Sequence, residues 1–238
     1  MVVGSIKPVQ VCTCCGSDQI TQSSVLWDSL INEWQLSNDE VKYINRQQGM
    51  HCIKCHANLR SMALAKAIMK SFRYSGLFKY FVKLPRIQQL KILEINEAGS
   101  LTQYLSKNPN YTLASYPQVD LMCLPFPDLS YDLVVHSDTL EHIHNPIQAL
   151  SECRRVLKSG GVCCFTIPIV VDRLTKTREG LLSSYHGEIG SNQPDLLVYT
   201  EYGADAWKQV VQAGFDECRI YSLEYPAAQA LVGVKSTN

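Results

Sequence analysis

Two Cys-x-x-Cys pairs near the start of the chain have the spacing that points most directly to chemistry. Cys12 and Cys15 form the first pair, and Cys52 and Cys55 form the second. Each pair can present two thiolates from one tight turn, and Gly16 supplies backbone freedom for the first turn. Two such turns brought together form a closed tetrahedral site of four sulfur ligands, which suits zinc and leaves no position for water. The pairs therefore predict a structural Zn²⁺ site.

Further donors beside the two pairs leave alternatives open for this ligand set. Cys14 could replace Cys12 or Cys15 as a ligand. His51 or His56 could replace a cysteine of the second pair. A redox function fits the pattern less well, because a redox Cys-x-x-Cys is usually single and lies at a strand–helix junction. We therefore predict a small zinc-ribbon-like module at the start of the chain, and we assign the five later cysteines to the core.

Carboxylates and histidines next to apolar segments form the second set of candidate functional residues. Glu94 lies at the end of the apolar segment KILEI, and Asp120 precedes a polar turn. His142 and His144 follow the apolar segment YDLVVH, in a position where loops commonly carry function. We find neither a Ser-His-Asp pattern nor a pair of catalytic carboxylates, so a hydrolase is not supported.

The elements that must position these residues are predicted to alternate between strands and helices after Pro85, which ends a helical pattern over residues 61–84. Such alternation over about 150 residues is typical of a doubly wound, mainly parallel α/β sheet, which binds ligands at the carboxyl ends of its strands. The predicted strands are 91–95, 111–114, 131–136, 161–167, 216–222 and 228–234, the predicted helices are 99–107, 146–157 and 203–213, and 170–200 is a long connection. The resulting organisation is a module over 1–60, a connecting helix over 61–85 and an α/β domain over 86–238.

The segment from Leu90 to Ile167 resembles the core of the class I S-adenosylmethionine-dependent methyltransferases of the type 11-like group. That resemblance implies a Rossmann-like fold. The segment departs from the family in its glycine-rich turn, where only Gly99 is a glycine and it is displaced by one position. The matching features are Asp120, Leu124-Pro125-Phe126, Asp128, Tyr131-Asp132, Leu140-Glu141-His142 and the RRVLKSGG run that ends at Gly161.

The resemblance also implies functional residues for a bound S-adenosylmethionine. Glu94 would orient the amino group of the cofactor, and Asp120 would accept a hydrogen bond from its adenine amino group. Ser115 stands where many relatives have an acid that holds the ribose. A second, looser resemblance to some bacterial methyltransferases covers Tyr185–Gly187 and Leu197–Trp207, and it would place Tyr202 at the border of the acceptor site. The implied cofactor-binding residues are Glu94, Asn96, Ala98, Gly99, Ser115, Asp120, Met122, Cys123 and Ser137, and the candidate catalytic residues are His142 and His186.

We therefore expect methyl transfer to a small-molecule or glycan acceptor. One alternative is a methyltransferase-like scaffold with weakened catalysis, and another is an enzyme acting on nucleic acid or protein. Lys+Arg and Asp+Glu are equal at 22 each, which argues against a nucleic-acid surface and against binding to an anionic membrane. The apolar runs are too short for a membrane span and the start lacks a signal-peptide pattern, so we expect a cytoplasmic protein with reduced thiols.

Overall fold

The computed structural model of the chain describes residues 8–185 and 193–237. The chain folds into two compact units. The cysteine unit consists of Met1–Gln89, Gly99–Pro109 and Ile220–Ala230. The sheet unit consists of Leu90–Ala98, Asn110–Arg219 and Leu231–Asn238. None of the helices in the described part of the chain is long and apolar enough to cross a membrane.

Short elements make up the cysteine unit, in which two small strands pair antiparallel so that Ile20 lies opposite Cys52. The elements are β1 (Ile20–Gln22), α1 (Asp28–Glu33), α2 (Asn38–Gly49), β2 (Met50–Cys52), α3 (Leu59–Ser71), α4 (Phe78–Phe81), α5 (Pro85–Gln88) and α6 (Thr102–Leu105). Strand β2 carries the first cysteine of the second pair at its end.

Capping side chains define where the longer helices of the cysteine unit begin. The hydroxyl of Ser37 accepts a hydrogen bond from the Glu40 backbone N–H, and the Glu40 carboxylate accepts one from the Ser37 N–H at 2.7 Å. This reciprocal pair satisfies two amide donors that the first turn of α2 would otherwise leave open. Asn58 caps α3 in a similar way by accepting from the Ser61 N–H at 2.8 Å.

The prediction of one continuous helix over residues 61–84 was wrong. Helix α3 ends near Phe72, because Arg73 takes a left-handed conformation with φ of 53° and the Tyr74 N–H donates to the Met69 carbonyl. This is the hydrogen bond of a Schellman C-terminus. The apolar periodicity continues beyond it because aromatic rings at Phe72, Tyr74 and Phe81 pack together across the break.

Strands and two helices make up the rest of the structure. They are β3 (Ile92–Ile95), β4 (Tyr111–Ala114), β5 (Tyr131–Ser137), α7 (Pro146–Val156), β6 (Leu157–Thr166), β7 (Ile169–Val170), β8 (Lys176–Thr177), β9 (Thr200–Gly203), α8 (Trp207–Gln212), β10 (Glu217–Leu223) and β11 (Ala228–Val234). The main sheet has the order β10-β11-β6-β5-β3-β4, and β7, β9 and β8 form a small second sheet.

The prediction of a doubly wound, mainly parallel sheet is confirmed. Strands β4, β3, β5 and β6 are parallel neighbours, and β11 joins β6 antiparallel. After β3 the chain adds β4 on one side and then returns to add β5 on the other, so the strand order reverses at β3. The carboxyl ends of β3 and β5 therefore flank the crevice where sheets of this type bind ligands.

Two predicted elements near the end of the sheet unit need correction. The predicted helix over 203–213 is the shorter α8, and the residues before it form β9. The last residue of β9 has to be a glycine. A Cβ atom at Gly203 would come within 2.2 Å of the Arg173 carbonyl oxygen, which leaves no room for a side chain. The predicted connection over 170–200 contains the short strand β8.

Candidate metal centre and cofactor cavity

The thiols of the two Cys-x-x-Cys pairs converge in the cysteine unit, as the sequence predicts. Cys12 Sγ lies 3.6 Å from Cys55 Sγ, and Cys15 Sγ lies 3.5 Å from Cys52 Sγ. All four sulfur atoms are within 4.8 Å of one another, and the four residues are buried. A tetrahedral zinc ion with bonds of about 2.3 Å places its sulfur ligands about 3.8 Å apart, so the donor set fits zinc.

The same backbone turn presents both pairs. The Gly16 N–H donates to the Cys12 carbonyl at 2.8 Å, and the His56 N–H donates to the Cys52 carbonyl at 2.8 Å. Both closing residues are left-handed, with φ of 81° at Gly16 and 59° at His56. Equivalent turns on the two segments explain how pairs separated by 36 residues can contribute matching halves of one site.

Cys14 is buried next to the four-thiol cluster but is not a member of it. A hydrogen bond from the Cys14 thiol is the largest of the effects that lower the pKa of Cys12 to about 5. The same contact and burial raise the pKa of Cys14 well above its ordinary value. Cys12 is therefore the thiolate and Cys14 the protonated donor, which favours Cys12 as the ligand.

The two histidines considered as alternative ligands also lie outside the cluster. His51 Nδ1 is 3.0 Å from the Gly49 carbonyl oxygen, and His56 is exposed. Residues of α6 contact Cys55 and favour it, and not a histidine, as the ligand. Gln103 donates to the Cys55 carbonyl at 3.0 Å, and a hydrogen bond from the Tyr104 hydroxyl opposes the effect of burial on the pKa of Cys55.

A cavity of about 390 Å³ opens in the sheet unit beyond the carboxyl ends of β3 and β5, and we call it the cofactor cavity. Its volume lies within the range of about 300–1,000 Å³ that is usual for small-molecule sites. Ile95 and Asn96 line it from the end of β3, and Asp138 and Thr139 line it from the end of β5. Its other walls include Tyr116, Asp120, Met122, His142, His144 and Tyr199.

The turn that follows β3 is held together by the fully buried carboxylate of Glu94. One oxygen accepts from the Ala98 N–H at 2.7 Å, and the other accepts from the Tyr111 hydroxyl at 2.6 Å. Burial, followed by the hydrogen bond to Glu94, raises the pKa of Tyr111. Asn96 adopts a left-handed conformation with φ of 47°, and its side-chain oxygen accepts from the Tyr116 N–H. An asparagine thus provides the left-handed turn that a glycine would otherwise supply.

Asp120 forms a tight polar turn at another wall of the cofactor cavity. Its Oδ1 accepts from the Met122 N–H at 2.8 Å, and its carbonyl accepts from the Cys123 N–H at 3.0 Å. These bonds fix the side chain while the residue stays exposed to the cavity. A carboxylate held in this way can accept a hydrogen bond from an amino group of a ligand.

His142 lines the cofactor cavity with a defined ring orientation. Its Nδ1 lies 3.0 Å from the Leu197 carbonyl oxygen, so we assign the proton to Nδ1 as the donor and the lone pair to Nε2. The Nε2 atom is 3.8 Å from the carboxylate of Glu141, which is buried. The Tyr199 N–H donates to the Glu141 carbonyl, which joins this turn to the chain that leads into β9.

The structure gathers only part of the candidate set at this cavity. Asn96, Asp120, Met122 and His142 line it, whereas Glu94, Ala98, Ser115, Cys123 and Ser137 are absent from its described lining. Gly99 belongs to the cysteine unit, and His186 lies outside the described residues. Ser137 pairs its hydroxyl with that of Thr166 at 2.7 Å, and Tyr202 is buried with its hydroxyl on Gln209.

Several lining residues were missed by the sequence reasoning. Asp138 directly follows β5, so its position at the carboxyl end of a parallel strand was a usable signal. Tyr116 follows β4 in the same way, two residues beyond its end. Tyr199 lies in the segment Leu197–Trp207 of the second resemblance, which pointed to Tyr202 and not to Tyr199. The Pro194–Leu196 turn comes from the region predicted as a long connection, where no periodicity marked it.

Comparison with known proteins finds similarity to methyltransferases. Residues 85–165 match the family model described as "Methyltransferase domain". A Mycolicibacterium smegmatis protein named "Probable S-adenosylmethionine-dependent methyltransferase" is 40% identical over 80 residues, which cover 31% of this chain and 30% of the relative. A demethylmenaquinone methyltransferase of Corynebacterium glutamicum is 29% identical over 131 residues, which cover 50% of this chain and 57% of the relative.

These alignments span about a third and a little over half of the relatives' own lengths. Among solved structures, the CMeT domain of the citrinin polyketide synthase aligns with a TM-score of 0.48 and 14% identity, over 89% of this chain and 60% of that domain. The family match contains β3, β4 and β5, the strands that are followed by lining residues of the cofactor cavity. Residues 85–165 therefore match a methyltransferase domain, and the chain is similar to S-adenosylmethionine-dependent methyltransferases.

Proposed function

We propose that the protein is a methyltransferase that binds S-adenosylmethionine in the cofactor cavity and transfers its methyl group to a small-molecule acceptor. The observation that carries this proposal is the convergence of Asn96, Asp120 and His142 on one cavity at the switch point of the sheet. The family match covers the strands from which these residues are positioned.

The lining residues of the cofactor cavity suit the parts of this cofactor. Asp120 is placed to accept from an adenine amino group, and Met122 and Leu121 provide apolar surface for the ring beside it. Asp138 adds a carboxylate that favours a cationic ligand group. When bound, S-adenosylmethionine supplies a methyl group already activated on a sulfonium centre, so the protein mainly has to orient the reactants and exclude water.

His142 is the residue that we propose as general base for an acceptor that must lose a proton. Its Nδ1 lies 3.0 Å from the Leu197 carbonyl oxygen, and with the proton assigned to Nδ1 the Nε2 atom is the acceptor of the ring. The buried Glu141 carboxylate lies 3.8 Å from Nε2 and is the neighbour that faces this atom from the same turn. We propose Glu141 as a positioning residue and His142 as the catalytic residue.

We also propose that the four-thiol cluster of the cysteine unit holds a structural zinc ion. Cys12, Cys15, Cys52 and Cys55 supply all four ligands of a tetrahedral site, so no position remains for a reacting water. The ion would then stabilise the fold of the cysteine unit and take no part in methyl transfer.

Calorimetric titration with S-adenosylhomocysteine tests the binding part of the proposal. Wild-type protein is expected to bind, and Asp120→Asn should weaken the affinity about tenfold or more, because a neutral amide oxygen is a weaker acceptor than a carboxylate. The asparagine retains an oxygen for the Met122 N–H, so the turn should persist.

The control is Asp39→Asn. Asp39 lies on α2, its side chain is 87% exposed, and it pairs with Lys42 one turn away. This variant should bind like the wild type. Absence of binding by folded, zinc-loaded wild-type protein would refute the proposed cofactor cavity, and equal affinities for all three proteins would refute the function assigned to Asp120.

A further inference from the structure

A second cavity of about 410 Å³ adjoins the cofactor cavity in the sheet unit, and we call it the side cavity. The two cavities share His144 and Tyr199 in their walls. The rings of these two residues stand 6.3 Å apart at an interplanar angle of 65°. The side cavity and the cofactor cavity therefore meet at this pair of rings, and His142 belongs to the described lining of the cofactor cavity.

Aliphatic side chains make up much of the side cavity. Leu197 and Val198 line it from the segment before β9, and Leu181 and Leu182 line it from the segment after β8. Leu182 is 86% exposed, which is a large apolar surface left open to solvent at a cavity mouth. Covering such a surface with an apolar ligand is favourable because it removes that surface from water.

The charges around the side cavity cancel instead of providing a site for an anion. Arg178 is its only described cationic lining residue, and its guanidinium donates to the Glu201 carboxylate and to the Leu182 carbonyl. Glu201 also pairs with Lys176 at 3.0 Å, so this group of three carries a net charge of +1. Glu179 in the cavity wall balances that charge.

In the cofactor cavity, by contrast, carboxylates dominate the charge of the described walls. Asp120, Asp138 and Asp195 line it, and the histidines are the sole basic side chains among its described lining residues. The carboxylate of S-adenosylmethionine is accompanied by the ammonium group of the same molecule, whereas a phosphate or carboxylate group on the acceptor would meet like charge without a cation to compensate it. A neutral hydroxyl group would instead find His142 as a proton acceptor.

From these observations we infer that the methyl acceptor is an uncharged molecule with an apolar body and a hydroxyl group. The apolar body occupies the side cavity against Leu181, Leu182 and Leu197, and the hydroxyl group reaches His142 past Tyr199. This inference rests on the proposed methyltransferase function. It excludes phosphorylated acceptors and acidic glycans as ligands of this site.

Binding of 4-alkylphenols to the full chain tests this inference. Affinities for 4-ethyl-, 4-butyl- and 4-hexylphenol are measured by calorimetry with S-adenosylhomocysteine present. Burial of each added methylene is expected to tighten binding by about fourfold. The anion 4-hexylbenzoate should bind at least about tenfold more weakly than 4-hexylphenol because it brings a charge that the cavities do not compensate.

Two leucine variants test whether the alkyl chain binds in the side cavity. Leu182→Asp places a charge in the side cavity and should abolish the dependence of affinity on alkyl length. Leu174→Asp changes a leucine that is 69% exposed outside both cavities, and it should leave that dependence intact. A third variant, Glu179→Lys, adds a cation to the side cavity. It should reduce the ratio of the affinity for 4-hexylphenol to that for 4-hexylbenzoate.

The outcomes separate this inference from the proposed function. Failure of S-adenosylhomocysteine to bind would overturn both. Binding of S-adenosylhomocysteine combined with equal affinities across the alkylphenols would overturn only the assignment of the acceptor. Equal losses in Leu182→Asp and Leu174→Asp, or equal affinities for phenol and benzoate, would also overturn that assignment.

Discussion

At the scale of single residues, Glu94 shows how a side chain can serve a ligand site without touching the ligand cavity. Its carboxylate is fully buried and accepts from the Ala98 N–H and from the Tyr111 hydroxyl. A buried charge is stable only when hydrogen bonds replace the water it has lost. These bonds hold the end of β3, so Asn96 in the next turn faces the cofactor cavity in a fixed conformation.

We expect Tyr111→Phe to lower the free energy of unfolding by about 1.5–3 kcal/mol, because it removes a hydrogen bond to a buried carboxylate. Urea denaturation measures this change. Tyr80→Phe, at a tyrosine that is 54% exposed on α4, is the control and should change stability by less than about 0.5 kcal/mol. Similar small effects for both variants would contradict the anchoring function assigned to Glu94.

At the scale of elements, the packing of β5, β6 and α7 buries an imidazole in the core of the sheet unit. His136 of β5 is fully buried and stacks on Phe165 at 4.7 Å, with the thiols of Cys153 and Cys163 within 4.8 Å of it. Within the described residues its ring nitrogens have no hydrogen-bond partner. Burial lowers the pKa of His136 to about 3, so the folded protein holds the neutral ring.

We expect this histidine to make the sheet unit sensitive to acid. The unfolded chain takes up a proton below about pH 6.5, whereas the folded chain does so only near pH 3, so stability is lost as the pH falls through this window. The loss attributable to His136 should reach about 2 kcal/mol between pH 6.5 and pH 5.

Urea denaturation of His136→Leu at both pH values checks this expectation. The leucine variant should lose less stability on acidification than the wild type, by up to about 2 kcal/mol. The control His144→Gln changes an exposed histidine and should retain the wild-type pH dependence. An unchanged pH dependence in His136→Leu would show that the buried ring does not titrate as described.

At the scale of the whole molecule, the chain combines two compact units of different kinds. The sheet unit is built around parallel strands, whereas the cysteine unit combines helices of up to 13 residues with one pair of three-residue strands. A unit with so little strand pairing gains stability from additional constraints, and a structural metal ion is one of them. The four-thiol cluster provides the site for such an ion.

We expect one zinc ion per chain by elemental analysis, and Cys52→Ser should abolish it because a three-thiolate site binds zinc far more weakly. Both the Cys52→Ser substitution and chelation of the metal from the wild type should lower the melting temperature. Cys123→Ser is the control and should retain both metal and stability, because Cys123 is exposed outside the cluster and the prediction of a core position for it was wrong. A metal-free wild type with full stability would refute the proposed zinc site.

Much of this organisation could be predicted from the chain alone, because the patterns responsible are local. The Cys-x-x-Cys spacing predicted the thiol cluster, and the alternation of apolar strands with helices predicted the parallel sheet and nearly all of its strands. Asp120 and His142 were selected as site residues because they follow apolar segments in a recognisable motif. Both lie in the wall of the cofactor cavity.

Only the tertiary structure decided which of the remaining candidates face the cavity and what forms its other walls. Glu94 and Ala98 are engaged with each other and not with the cavity, although their positions in the sequence resemble those of ligand-binding residues. Tyr199 arrives from a segment more than 50 residues beyond His142, and no local pattern records that approach. Strands and tight turns follow from interactions between near neighbours in the chain, whereas the walls of a cavity depend on contacts between distant segments that form only when the core packs.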